Sequence, residues 1–183
     1  MKHIIIVVMG VFLSLQAYSQ QNMFTLSGGY SFATIEDTDH KATGWRINGL
    51  YEFNPLEGMF AHGVSFGYIN VTSNYSGLTG GNVEARISSI PFYYAPKVMF
   101  GNDKIKGFVK GALGGQWSFL KRTAALEITD NDFGFYGGGG GGFMFNVNQK
   151  VFVNAEYEIA WLSNSYYKDG WMNTAMGGIG FRF

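Results

Sequence analysis

The chain has 183 residues, with 13 basic residues against 13 acidic ones, 17% aromatic residues, 27 glycines and no cysteine. That length suits one domain, and the missing cysteines exclude disulfides, thiolate metal sites and thiol nucleophiles. The balanced charge, without any basic run, gives a nucleic-acid partner no electrostatic support.

In chain order, the first element is an export signal. Met1-Lys2-His3 is followed by an apolar run from Ile4 to about Leu15 and then by Gln16-Ala17-Tyr18-Ser19-Gln20, with small residues at Ala17 and Ser19. A positive start, a short apolar segment and a small-x-small site form a secretory signal peptide. The run is shorter than the about 20 residues that a spanning helix needs. Cleavage is expected after Ser19, so that residues 1–19 are the signal and 20–183 the mature domain. Without cysteine the lipid-anchored type of signal is excluded.

From there the sequence alternates with a period of two, the pattern of strands with one apolar face. The first predicted strand runs from Phe24 to Ala33 and the second from Gly44 to Phe53. The third covers His62 to Thr72. The fourth, Val83 to Phe100, is long and contains Pro91 and Pro96. Ile87 and Ile90 differ in parity there, and a bulge near Pro91 would reconcile the two halves. The fifth runs from Gly107 to Leu120, the sixth from Phe133 to Val147 through six consecutive glycines, and the seventh from Val151 to Trp161. The eighth ends the chain, with Ala175, Gly177, Ile179, Phe181 and Phe183 on one face. Strands of about ten residues match the 9–11 of a tilted transmembrane strand. Short turns at 54–58, 101–104 and 146–150 alternate with longer polar segments around 35–43, 73–82, 121–132 and 163–171. This asymmetry of rims is that of bacterial barrels, with the short turns and both termini periplasmic.

Alternation alone also fits a soluble sandwich or a lipocalin-like barrel. Three features favour lipid outside: the export signal, large aromatics near strand ends (Tyr51, Phe53, Trp117, Phe119, Trp161), and an apolar final face ending at Phe183. Such aromatics form girdles at the two lipid–water boundaries. Backbone groups cannot stay unpaired in lipid, so the sheet must close. The fold expected is therefore all-β, an eight-stranded antiparallel up-and-down barrel.

The ending Gly177-Gly178-Ile179-Gly180-Phe181-Arg182-Phe183 resembles the C-terminal strand signal of bacterial outer-membrane barrels. The stretch Ile90-Pro91-Phe92-Tyr93-Tyr94 and the later Gly107-Phe108-Val109-Lys110-Gly111-Ala112-Leu113-Gly114-Gly115 resemble the middle of the Bacteroidetes-type outer-membrane β-barrel domain, often called the porin-family domain. The broader likeness, over the whole mature chain, is to OmpA/OmpX-type eight-stranded barrels. It implies a location in outer-membrane lipid, and recognition of Ile179, Phe181 and Phe183 by the barrel-assembly machinery. It leaves activity open.

The best site candidates are charges opposite the aromatic face. Arg46, Arg86, Lys110 and Arg182 could pair with Glu52, Glu84, Glu156 and Glu158 inside a lumen just wide enough for side chains to fill. Pairing is required because desolvation costs several kcal/mol per ion. A satisfied polar plug and a narrow gated pore are the two outcomes. Gly137–Gly142 formally contains GxGxxG, but no helix follows, so no nucleotide site is expected. His40 and His62 are too far apart in the pattern for a metal centre or a triad. Lipid A deacylases and acyltransferases are also eight-stranded barrels, and Ser163, Ser165 and His40 could share the outer rim, yet nothing marks them as catalytic. The longer segments carry Tyr75, Leu78, Tyr166, Tyr167 and Trp171, which can bind partners or sit as interface anchors. The expectation is a monomeric, non-enzymatic barrel with a structural or porin-like role, no cofactor and no metal. A loop-borne adhesin is the alternative, its extracellular partner left open.

Overall fold

The computed structural model describes residues 21–35, 40–54, 59–76, 82–123, 127–164 and 166–183. The expected signal at 1–19, turn residues 55–58, Leu78 and Ser165 lie outside them. The described elements are all strands: β1 (Gln21–Ile35), β2 (Lys41–Asn54), β3 (Phe60–Ser76), β4 (Asn82–Tyr94), β5 (Lys97–Gly101), β6 (Ile105–Thr123), β7 (Glu127–Asn146), β8 (Val151–Leu162) and β9 (Tyr167–Arg182). Each pairs antiparallel with its neighbours, and β9 returns to β1, with Phe24 opposite Phe181 and Tyr30 opposite Ala175. The seam is closed to its end: Asn22 and Phe183 exchange backbone hydrogen bonds of 3.1 and 3.0 Å. Among the described strands no edge is left to expose unpaired backbone groups, the condition for a sheet in lipid.

β4 and β5 are one stave, which makes the barrel eight-stranded. Between them the Ala95 N–H donates to the Gly63 carbonyl and the Gly111 N–H to the Pro96 carbonyl, both at 2.8 Å. The bulge expected near Pro91 is absent. Pro91 stands opposite Gln116 in an unbroken register with β6. The ladder to β3 pauses only at Gly67 and Tyr68 and resumes at Ile69–Ser89 without a shift. A proline lacks one donor, so it costs one ladder bond but need not move the register. Parity therefore runs unchanged from Val83 to Gly101.

The real irregularity lies at the start of β9. Its register against β1 shifts between Ala33 and Ile35. Asp169 and Gly170 adopt φ of 54° and 72° there. The left-handed turn lets Tyr167 point inward while Trp171 points out, as a bulge does. Several strands also run farther than the sequence pattern suggests. All four segments expected as longer connections are shortened by strand: β2 starts at Lys41, β3 reaches Ser76, β9 starts at Tyr167, and 121–132 is largely strand, because β6 and β7 keep pairing up to Thr123–Glu127. Asp130, Asn131 and Asp132 look like loop residues, but β7 has 20 residues, about twice what a bilayer crossing takes. Its polar end stands clear of the apolar wall.

That wall is the outside of the barrel. Leu26, Ile47, Phe66, Val109, Leu113, Phe143 and Ile179 are between 47% and 64% exposed. The chain has four tryptophans. All four, Trp45, Trp117, Trp161 and Trp171, are exposed on this face, in the half nearer the long connections. The half nearer the termini carries Phe60, Phe100, Phe145, Phe181 and Phe183 instead, with Tyr51 6.4 Å from Phe183, ring to ring. Two aromatic belts flank an aliphatic band, as girdles at two interfaces do.

The glycine run of β7 lets that strand approach β8 closely. A Cβ on Gly142 would lie 2.1 Å from the Ala155 carbonyl oxygen, and one on Gly138 would lie 2.4 Å from that of Ile159. Gly142→Val is expected to destabilise the barrel by about 1–3 kcal/mol through overpacking. A denaturant titration of refolded protein measures this; an unchanged midpoint would mean that β7 can move away.

Candidate functional site

Apart from the bulge at the start of β9, parity is kept along the strands, so every second residue points into the lumen, and the inward set is layered. Near the long-connection end lies an apolar layer including Ile69, Val71, Ile87, Leu120, Leu162 and Met172. Near the termini lies a second one, Met23, Ala61, Met99, Phe108, Met144 and Phe152. Charges sit between and beside these layers.

The centre is Arg46 of β2, only 1% exposed. Its Nη1 donates to Glu158 Oε1 on β8 at 2.6 Å and to the Tyr136 hydroxyl on β7 at 2.9 Å. Its Nη2 donates to the Tyr93 hydroxyl on β4 at 2.9 Å and to Asn48 Oδ1 at 3.4 Å. Both tyrosines pass a proton donor on to Glu158, Tyr93 at 3.2 Å to Oε2 and Tyr136 to Oε1. Their rings stack with centroids 4.9 Å apart. Lys110 of β6 completes the group, its Nζ 2.5 Å from Glu156 Oε1 and 2.8 Å from Glu158 Oε2. One layer of side chains thus ties β2, β4, β6, β7 and β8 across the lumen. Toward the termini, Lys97 Nζ lies 2.6 Å from Glu52 Oε1 and 4.6 Å from the centroid of the Phe108 ring. The buried set balances: Arg46, Lys97 and Lys110 face Glu52, Glu156 and Glu158. Balance matters because each unpaired buried ion would cost several kcal/mol.

The residues expected in the lumen therefore divide. Arg46, Lys110, Glu156 and Glu158 meet in one network, while Glu52 pairs with Lys97. Arg182 is inward but stands at the terminal mouth, donating to Asn146 Oδ1 at 2.6 Å with its guanidinium 4.8 Å from the Phe152 ring centroid. Glu84 and Arg86 are corrected: they lie on the outer face near the long connections. They pair with each other at 3.0 Å, with about half of each side chain exposed. The reason is the missing bulge, since a register without a shift at Pro91 turns residues 84 and 86 outward. The same register turns Tyr93 and Lys97 inward, and the alternation of β7 turns Tyr136 inward, three members of the buried set that the sequence reading did not single out. The inward parity of Tyr93 and Lys97 on one stave was the available signal.

Of the expected interfacial aromatics, Trp117, Phe119 and Trp161 are 52%, 43% and 40% exposed on the outer wall, and Tyr51 and Phe53 are half-buried there. Ile179, Phe181 and Phe183 project from the same wall. His40 and His62 lie apart: His40 stacks on Tyr75 at the long-connection end, and His62 stacks on Phe53 near the terminal end. Ser163 Oγ accepts a hydrogen bond from the Phe135 N–H at 2.7 Å, a cap on the end of a strand. At the long-connection mouth, burial pushes the Tyr166 phenol up to about 12, with the nearby Asp130 carboxylate adding to it.

A closed antiparallel barrel with an apolar belted wall and a charged, packed interior is the construction of a transmembrane β-barrel. The chain belongs to the outer membrane protein beta-barrel domain family, which it matches over residues 4–183. Solved structures share the fold. Neisserial surface protein A superposes with a TM-score of 0.62 at 12% identity, covering 87% of this chain and 97% of that one. Ail, the attachment invasion locus protein of Yersinia pestis, gives 0.55 at 18% identity over 89% and 99%. The N-terminal β-barrel domain of Pseudomonas aeruginosa OprF gives 0.50 at 12% over 88% and 97%. No curated protein sequence matches the chain. The protein is thus an integral outer-membrane β-barrel whose lumen is filled by paired charges.

Proposed function

We propose that this barrel is a sealed membrane anchor that conducts no solute, catalyses no reaction, and presents outside the cell the end of the barrel formed by segments 35–43, 73–82, 121–132 and 163–171. One observation carries the reading: Arg46, Glu52 and Glu158 are at most 1% exposed although they lie in the lumen. A continuous water channel would wet them. In this reading residues 1–19 direct export, Ile179, Phe181 and Phe183 are read by the assembly machinery, and the monomer sits in outer-membrane lipid with both termini periplasmic. The tryptophan belt then faces the outer leaflet.

Planar-bilayer recording of the refolded mature protein tests this. The expected result is insertion without discrete current steps, for the unaltered protein and for Arg46→Gln and Glu156→Gln. Steady steps whose size or selectivity changes with those substitutions would establish a pore and overturn the sealed reading.

A second reading, a surface adhesin, rests on Trp171, exposed, and Tyr75, half-buried, at the long-connection rim; Tyr166 and Tyr167 are buried there and offer a partner no surface. Shortening 73–82 and 163–171 with the barrel intact would then abolish cell binding. Identical lipid A mass spectra with and without the protein would set aside a lipid-modifying enzyme.

A further inference from the structure

The buried lumen charges match three against three, but the described side chains lining a recess at the terminal mouth do not balance. The recess has a volume of about 740 Å³ and is lined among others by Lys104, Lys106, Arg182, Asp103 and Asn146. We propose that it binds a soluble phosphate-type anion.

Two short turns build it. In the β5–β6 turn, Asn102 Oδ1 accepts the N–H groups of Lys104 and Ile105 at 3.0 and 2.9 Å. In the β7–β8 turn, Asn148 Oδ1 accepts those of Lys150 and Val151, both at 2.8 Å. The turns are stapled together: the Asn146 N–H donates to the Lys104 carbonyl at 3.0 Å, and its side-chain amide donates to that of Asp103. The frame is thus fixed before any ligand arrives, which lowers the ordering cost of binding.

The charges it displays lack partners. Among the described residues, Lys104 and Lys106 make no ion pair, and Arg182 spends one nitrogen on the neutral Asn146 amide and its face on Phe152. Among the described side chains that line the recess, three cations thus meet one carboxylate, that of Asp103. Elsewhere in this interior, cations are met by carboxylates within 2.5–2.8 Å. The remaining guanidinium donors offer a fork, and the two ammonium groups offer point charges, a set that suits a multivalent oxyanion. Beneath lies the apolar layer of Phe108, Met144 and Phe152, so the ligand stops at the mouth.

A phosphate could come from a soluble molecule or from a lipid headgroup at the rim. The neighbouring Ile105 is exposed on the outer wall, so Lys106, one residue on, faces the mouth. Arg182 alternates in the same way with Phe181. The site thus faces water, and the soluble source is the one proposed. That the water is periplasmic rests on the orientation proposed above.

The test is titration of inorganic pyrophosphate into the refolded barrel in zwitterionic micelles, followed by calorimetry and by amide shifts of residues 102–106 and 146–150. Saturable binding is expected. It should weaken by about fivefold to tenfold in Lys106→Gln and in Arg182→Gln, survive in Lys106→Arg, and fall as salt rises. No saturable binding, or equal affinity in the Lys106→Gln/Arg182→Gln double variant with its heat-modifiable fold retained, would overturn the proposal. In nanodiscs, binding unaffected by phosphatidylglycerol supports a soluble ligand; loss of binding in that lipid but not in phosphatidylcholine would make the headgroup the occupant and overturn it. Orientation is read separately, from a Gln149→Cys thiol in this cysteine-free chain. Labelling of intact cells by an impermeant maleimide would overturn the periplasmic assignment and leave anion binding standing.

Discussion

Arg46→Met is expected to destabilise the folded barrel by about 3–5 kcal/mol, the cost of breaking a buried ion pair from one side. The substitution preserves much of the side-chain volume but removes the donor to Glu158, Tyr136 and Tyr93 together. It leaves Lys97 and Lys110 against Glu52, Glu156 and Glu158, one anion in excess in a region without solvent. Lys110 cannot correct this, since it already lies within 2.8 Å of both Glu156 and Glu158. The double variant Arg46→Met/Glu158→Gln separates charge imbalance from lost packing. It restores two cations against two anions, and the amide oxygen can still accept from Tyr136. The double variant is therefore expected to recover half or more of the loss. Denaturant titrations of the refolded single and double variants in lipid decide it. A double variant as unstable as the single one would mean that Arg46 acts through packing and tyrosine contacts, not through charge.

How far the fold could be read in advance depends on what each residue faces. Where a strand has lipid on one side and a polar lumen on the other, alternation is unambiguous, as from Val151 to Trp161. The C-terminal strand was legible for the same reason. The stave through Pro91 and Pro96 was not. Its inner face carries Ile87 as well as Tyr93, and its outer face carries Ser88 as well as Ile90, so apolarity no longer marks the side. A proline is then easily taken as the mark of a bulge, although it merely omits one hydrogen bond. That single misreading placed Glu84 and Arg86 in the lumen and hid Lys97. The network around Arg46 was partly legible, because a buried charge demands a partner. Which partner it takes was not, because Glu158 and Glu52 are distinguished only by the height at which the tilted strands bring each cation past them. The length of β7 was hidden too: above the bilayer nothing selects for apolar residues, and only continued pairing with β6 keeps Asp130 and Asp132 in a strand.

The outward wall makes the other large prediction. Leu113 lies near the middle of β6 and is 59% exposed. In lipid its side chain meets acyl chains, and Leu113→Arg is expected to cost about 2–4 kcal/mol, the penalty for a cation near the bilayer midplane of a barrel. On the surface of a soluble barrel the same change would fall within about 0.5 kcal/mol. Depth provides the internal control. Phe119, six residues on, sits where the wall meets the long-connection rim, and Lys121 already follows it on the same face. Phe119→Arg can extend its charge to the interface, so its cost should drop to about 0–1 kcal/mol for the charge itself. The comparison uses urea unfolding of the protein folded into phosphatidylcholine vesicles. A Leu113→Arg penalty well above that of Phe119→Arg places position 113 in hydrocarbon and 119 near its boundary. Equal, small effects at both positions would mean that the apolar wall is not covered by lipid, and the membrane reading of the outer face would fall with it.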